Sequence, residues 1–154
     1  MIVQVAQSGE QLEQIRSLFL EYATSLGFSL CFQGFDDELR ALPGMYAPPR
    51  GRLLLDVQDG DPAGCVGVHE WHGDTAEMKR LYVRPPFRGR GLARALTLAA
   101  LAEARAIGYG AVRLDTIAAT MKPAIALYRE LGFREIPPYR ENPIPGALYL
   151  ELRL

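Results

Sequence analysis

The chain has 154 residues, 49% of them apolar, with 17 Lys and Arg against 18 Asp and Glu, so length and composition predict one domain, 1–154, built on a single core. A formal net charge of -1 excludes a global basic field and with it a nucleic-acid partner, although arginines gather locally between residues 80 and 90 in a way that suits a nucleotide ligand. Two cysteines, Cys31 and Cys65, are too few for a disulfide framework, the start Met1-Ile2-Val3-Gln4-Val5 is no leader, and no uncharged apolar run nears membrane-spanning length; the expectation is a reducing cytoplasm and no membrane partner.

Ile2 to Ala6 reads as a short strand, and Ser8-Gly9-Glu10-Gln11 as a capping box opening a helix whose apolar stripe is Leu12, Ile15, Phe19, Tyr22 and Leu26. Asp36 to Leu42 predicts a shorter helix stopped by Pro43-Gly44, and Tyr46-Ala47-Pro48-Pro49 an extended loop. Leu53 to Val57, Gly64 to Trp71 and Thr75 to Val83 predict an antiparallel meander, because the turn signals Asp59-Gly60-Asp61-Pro62 and His72-Gly73-Asp74 separate them. In the third of these strands Met78, Leu81 and Val83 break the strict alternation of a strand, and a β-bulge near Lys79-Arg80 would return them to one face.

Leu92 to Ile107 predicts a long helix closed by Gly108, and Ala111 to Asp115 a strand; strand, helix and strand in this order imply a parallel crossover. A helix over Lys122 to Leu131 tolerates Pro123 in its first turn. Two strands joined by the loop Pro137 to Gly146 close the chain, with Leu148, Leu150, Leu152 and Leu154 on the buried face of the last. The class is α/β: a mixed, mostly antiparallel sheet of six to seven strands with helices on both faces.

Arg88-Gly89-Arg90-Gly91-Leu92-Ala93, between a strand and an alanine-rich helix, is where such a chain receives phosphates. Glycines admit close backbone approach, and the first-turn amides of a helix have no partners of their own. No Lys-Ser or Lys-Thr pair completes a P-loop, and Gly89-x-Gly91 lacks the third glycine of a dinucleotide fingerprint. His69-Glu70-Trp71-His72 lacks the zinc-protease spacing, so no metal is expected.

Arg88, Gly91 and Ala93 do satisfy Arg/Gln-x-x-Gly-x-Gly/Ala, preceded by Leu81-Tyr82-Val83-Arg84-Pro85. Farther on, Ala124-Ile125-Ala126-Leu127-Tyr128-Arg129-Glu130-Leu131-Gly132-Phe133 joins a Leu-Tyr pair to Leu-Gly-Phe on a helix. With both motifs in this order the chain resembles the GNAT superfamily of N-acetyltransferases, firmly over Thr75 to Phe133 and more loosely over its first third. The resemblance implies acetyl-CoA as co-substrate, with Arg88, Gly89, Arg90, Gly91, Leu92 and Ala93 at its pyrophosphate and the amides near Leu81 and Val83 facing the thioester oxygen and the pantetheine arm. It implies that the parallel strands diverge beyond the bulge and leave a wedge for that arm.

The same resemblance makes Tyr128 the general acid toward the departing thiolate, and puts Glu77 where some members carry a glutamate base. Glu70 on the preceding strand and a water-mediated route are the alternatives to Glu77, whose pKa the crevice is expected to raise. Met121 stands where many members have an asparagine that helps hold the coenzyme. Phe32, Gln33, Phe35, Tyr46, Tyr139 and Arg140 border the implied acceptor pocket. The expected activity is acetyl transfer to a primary amine of a small molecule or peptide by direct attack in a ternary complex; Cys31 and Cys65 carry no signature of a covalent nucleophile. A non-catalytic acyl-CoA-binding module and a protein acetyltransferase are the alternatives, and the resemblance leaves room for a homodimer.

Overall fold

A computed structural model describes residues 2–27, 29–30, 34–119 and 121–154. Its elements are β1 Ile2–Val5, α1 Gly9–Ser25, α2 Phe35–Ala41, β2 Arg52–Gln58, β3 Asp61–His72, β4 Thr75–Val83, α3 Leu92–Ile107, β5 Ala111–Ile117, α4 Lys122–Glu130, β6 Arg134–Glu135 and β7 Ala147–Arg153. One seven-stranded sheet, in the order β1-β2-β3-β4-β5-β7-β6, carries them all. Every neighbouring pair is antiparallel except β4 and β5.

The local signals act where the sequence puts them. Ser8 Oγ accepts from the Gln11 amide at 3.1 Å while Gln11 Oε1 accepts from the Ser8 amide at 3.0 Å, so two amides at the start of α1 are satisfied reciprocally. Asp59 and Gly60 both take positive φ, 51° and 84°, at the β2–β3 turn, and β3 therefore starts at Asp61, earlier than Gly64. Gly108 closes α3 in the left-handed region at φ 112°. The segment read as an extended loop at Tyr46 instead follows a 3-10 turn, Gly44–Tyr46, closed by the Tyr46 amide on Pro43 O at 2.8 Å. Tyr46 is there for packing: its ring lies on Gly67, where an added Cβ would sit 2.5 Å from Cε1.

The sheet buries two apolar clusters, one on each face, where composition suggested one core. Leu96, Ala100, Leu101 and Ala104 of α3 and Tyr128 of α4 pack with Val66, Met78, Val112, Leu114 and Leu150 on one face. Ile15, Leu18 and Phe19 of α1 and Phe35 and Leu39 of α2 pack with Leu53, Leu55, Cys65 and Tyr82 on the other. A mixed sheet with apolar residues on both faces needs a helical layer on each, and the strand burial pattern shows it: β3 is buried without interruption from Ala63 to His69.

The bulge in β4 is real. Cys65 faces Tyr82 and Gly67 faces Lys79, which leaves Val66 opposite both Arg80 and Leu81, and Arg80 takes φ 63°. Met78, Leu81 and Val83 all pack on the α3 side as a result. Parallel pairing of β4 with β5 runs only through Thr75↔Ala111, Ala76↔Val112 and Glu77↔Arg113. Beyond Glu77 the strands part, β4 staying with β3 as far as Val83 and β5 with β7 as far as Ile117.

Candidate active site

The divergence of β4 and β5 opens a cavity of about 570 Å³. Leu81, Val83, Gly89, Ala93, Leu127 and Tyr128 wall it on the α3 and α4 side; Tyr22 and Ser25 of α1 and its C-cap residue Leu26 wall it on the opposite face. Since those helices lie in different layers, the cavity passes through the sheet, and the wedge is its throat.

At one end stands the glycine loop. After the 3-10 turn Pro85–Phe87, Gly89 and Gly91 take φ 77° and 79°, and Gly91 is the N-cap residue of α3. The first helical bond of α3 is Ala95 N to Gly91 O at 3.1 Å, so the amides from Gly89 to Arg94 meet no backbone acceptor among the described residues. A Cβ added to either glycine would meet no protein atom within 4 Å, which leaves the space above the loop for something else. Arg88 donates from Nε to Val83 O at 2.9 Å, and Arg90 lies 5.6 Å from the Phe87 ring centre; neither pairs with a carboxylate among the described residues. Free amides, a helix N-terminus and two guanidinium groups without a carboxylate partner among the described residues fit the pyrophosphate of coenzyme A.

Tyr128 reaches the cavity from α4, buried, with its ring tilted against Phe133 at 5.5 Å. Its hydroxyl has no hydrogen-bond partner among the described residues. Burial pushes its pKa well up, with the neighbouring Tyr22 adding to the effect, so the phenol is neutral and available as a donor. Met121, where the resemblance implies an asparagine, caps α4 and accepts from Thr116 Oγ1 through Sδ at 3.0 Å.

Glu77 has a different setting from the one expected. It is fully buried and does not line the cavity. Its carboxylate is enclosed by donors: His69 Nε2 at 2.8 Å, Tyr139 Oη at 2.8 Å and Arg140 Nη2 at 2.5 Å from both oxygens. Burial alone would raise its pKa, but the His69 hydrogen bond and the charges of Lys79, Arg140 and His69 outweigh it, so the pKa lies below the usual 4.5 and the expected rise is corrected. Glu70, the competing candidate, lies away from the cavity with its carboxylate on Arg50 at 3.0 Å.

Of the residues read as bordering the acceptor, Phe32 and Gln33 lie outside the described residues, as does Cys31. Phe35 and Tyr46 are packing residues of the α1 and α2 layer. Tyr139 and Arg140 belong to the Glu77 network, with Arg140 over the Trp71 ring at 4.7 Å. Cys65 is sealed in the core with its thiol on Arg80 O at 3.4 Å, and burial pushes its pKa up, the reverse of what a nucleophile needs. Among the cavity residues that escaped the sequence reading are the polar Lys79, Asp115 and Asn142. Lys79 carried a signal, as a lysine at the bulge; Asp115 and Asn142 meet only through the fold, with Asn142 Nδ2 on Asp115 Oδ2 at 3.1 Å.

Comparisons with known proteins match both the sequence and the fold. An uncharacterised N-acetyltransferase of Schizosaccharomyces pombe is 39% identical over 147 residues, spanning 94% of this chain and 90% of that one. The fold matches an acetyltransferase from Streptococcus agalactiae with a TM-score of 0.80 at 19% identity over 99% of this chain and 98% of that one. It also matches an N-acetyltransferase from Thermoplasma acidophilum solved in complex with coenzyme A, with a TM-score of 0.73 at 17% identity over the whole of both chains. Residues 12–133 match the acetyltransferase (GNAT) family, and the chain belongs to it.

Proposed function

We propose that this protein transfers an acetyl group from acetyl-CoA to a primary amine by direct attack within a ternary complex. The observation that carries the reading is the cavity that passes through the sheet, walled by the glycine loop, α3 and α4 on one face and by α1 on the other, with Lys79, Arg80 and Asp115 of the diverging strands in its lining. Two reactants entering from opposite faces would meet at the wedge, and holding them there replaces a bimolecular encounter.

Acetyl-CoA, when bound, supplies the activated acyl group. Arg88, Arg90 and the amides from Gly89 to Ala93 hold its pyrophosphate, and the backbone of the Leu81–Val83 segment, freed from regular pairing by the bulge, faces the pantetheine arm and the thioester oxygen. Tyr128 donates a hydrogen bond to the sulfur as the C–S bond breaks. A phenol whose pKa burial has raised gives up its proton less readily, so its contribution is charge stabilisation of the thiolate more than outright transfer. Glu77 enters as a positioning residue: it is ionised at neutral pH and holds Arg140, Tyr139 and His69 beside the acceptor side.

The test is thiol release from acetyl-CoA with a panel of primary amines, followed by mass analysis of the acetylated product. Amine-dependent release with a matching N-acetyl product supports the reading. Tight acetyl-CoA binding without release for any amine would instead favour a non-catalytic acyl-CoA-binding module.

A further inference from the structure

Two charges of opposite sign line the cavity, and neither forms an ion pair among the described residues. Lys79 is 8% exposed, yet its ammonium takes no hydrogen bond and no ion pair among the described residues. The carboxylates nearest to it are already committed. Glu77 is held by Arg140, His69 and Tyr139. Glu38 accepts both Nε and Nη2 of Arg80 at 3.0 Å and Tyr46 Oη at 2.9 Å. Glu38 and Glu77, the carboxylates that act on Lys79, are thus paired with Arg80 and Arg140, and neither is left to pair with Lys79. Burial, then the charge of Arg80, lower the Lys79 pKa to about 8, a cost that an incoming anion would reverse. Across the wedge on β5, Asp115 accepts from the neutral amide of Asn142 and pairs with no cation among the described residues, its neighbour Arg113 being held by Glu151 at 2.7 Å. Lys79 and Asp115 form no ion pair with each other.

Resting on the acetyltransferase reading, we infer that the acceptor is a small zwitterion, an amino acid or close relative, with its carboxylate on Lys79 and its ammonium on Asp115 at the throat between β4 and β5. Each end of such a ligand meets the charge the cavity lacks, and charge-assisted bonds of this kind are about twice as strong as neutral ones. A simple amine would leave Lys79 unanswered; a peptide N-terminus, with its nearest carboxyl turned into an amide, would do the same. In the transfer the amine nitrogen forms its bond to the acetyl carbonyl carbon and the C–S bond breaks. Of the two protons the ammonium loses, one goes to the thiolate and one to solvent, giving the N-acetyl acid and coenzyme A.

The experiment compares alanine, aspartate, glutamate, methionine and phenylalanine, each as the free acid, the carboxamide and the methyl ester, together with simple alkylamines. Thiol release gives kcat/KM, and thermal shift in the presence of coenzyme A ranks binding whether or not transfer occurs. At least one free acid should exceed its carboxamide and ester by about tenfold or more in kcat/KM and give the larger shift. Lys79→Met, a near-isosteric apolar change, should bring acid and carboxamide to within about twofold of each other, and Lys79→Arg should restore the preference. Equal shifts for acid and carboxamide, a better alkylamine, or a preference intact in a folded Lys79→Met would overturn the assignment. Thiol release that fails with every amine while the acid still gives the larger shift would overturn the transferase reading and leave the zwitterion site standing.

Discussion

Arg140 lays one guanidinium nitrogen 2.5 Å from both carboxylate oxygens of Glu77, across 63 residues of sequence, and so ties the loop before β7 to the middle of β4. Glu77 is fully buried, so removing the Arg140 guanidinium leaves its carboxylate under-compensated in the sheet. Arg140→Leu should destabilise the protein by about 3 kcal/mol at neutral pH. The sign with pH distinguishes this from lost packing. In the wild type the folded pKa of Glu77 is below 4.5, so its contribution is present above that pH and lost as pH falls toward the folded value. In Arg140→Leu one of the lowering charges is gone, the folded pKa of Glu77 rises, and acid relieves the buried carboxylate. The gap between the urea midpoints of the two proteins should narrow from about pH 7 to about pH 4; a constant gap would mean that the charge is not what Arg140 supplies.

Glu77→Gln separates positioning from proton transfer. A carboxylate that never meets the amine has no limb of its own in the rate profile, so the variant should lose turnover by a similar factor at every pH. Selective loss of the acidic limb, measured as kcat/KM against pH, would return Glu77 to the role of base.

Gly91→Glu places bulk and negative charge over the amides that face the pyrophosphate. No protein atom lies within 4 Å of the new Cβ, but φ of 79° is unfavourable for a side chain, and the fold should lose ~1–2 kcal/mol while keeping its circular dichroism spectrum. Calorimetry should then detect no acetyl-CoA binding. Unchanged affinity would sink the phosphate-loop assignment.

Much of this architecture could be read from residue order. The bulge was legible because Met78, Leu81 and Val83 break the alternation of a strand, and the glycine loop because Gly89 and Gly91 open an alanine-rich helix. The acceptor side was not. Glu77 sits in the same sequence whether its carboxylate is free or enclosed, and its partners His69, Tyr139 and Arg140 arrive from β3 and from the loop before β7. Asp115 was read as the end of a strand; β5 in fact runs on to Ile117 beside β7, past the point where β4 leaves, and that departure turns Asp115 toward the cavity. Charges balanced across sheet neighbours have no short-range signature.

Glu38 of α2 is the anchor of the bulge. Its carboxylate holds the Arg80 guanidinium, and both side chains are at least nine-tenths buried, at 5% and 3% exposure. Glu38→Gln should cost about 3–5 kcal/mol, because Arg80 cannot lose its proton and is left as an unpaired buried cation. Arg80 sits at φ 63°, beside the segment proposed to face the thioester, so turnover in the folded fraction should fall as well. Urea unfolding and kcat measured together decide: destabilisation with normal kcat would mean that the clamp holds α2 but not the bulge.

Tyr128→Phe removes one hydroxyl and keeps the ring against Phe133. No hydrogen bond within the described residues is lost, so the urea midpoint should barely move. The developing thiolate, however, loses its donor, and turnover should fall by ~10 to ~1000-fold with the KM for acetyl-CoA little changed. The size of the loss should track the leaving group. A coenzyme analogue whose thiol has a lower pKa develops less charge demand and should recover part of the rate in Tyr128→Phe while gaining little in the wild type. If wild type and variant respond to the leaving group in parallel, the hydroxyl takes no part in breaking the C–S bond, and Tyr128 is a packing residue of α4.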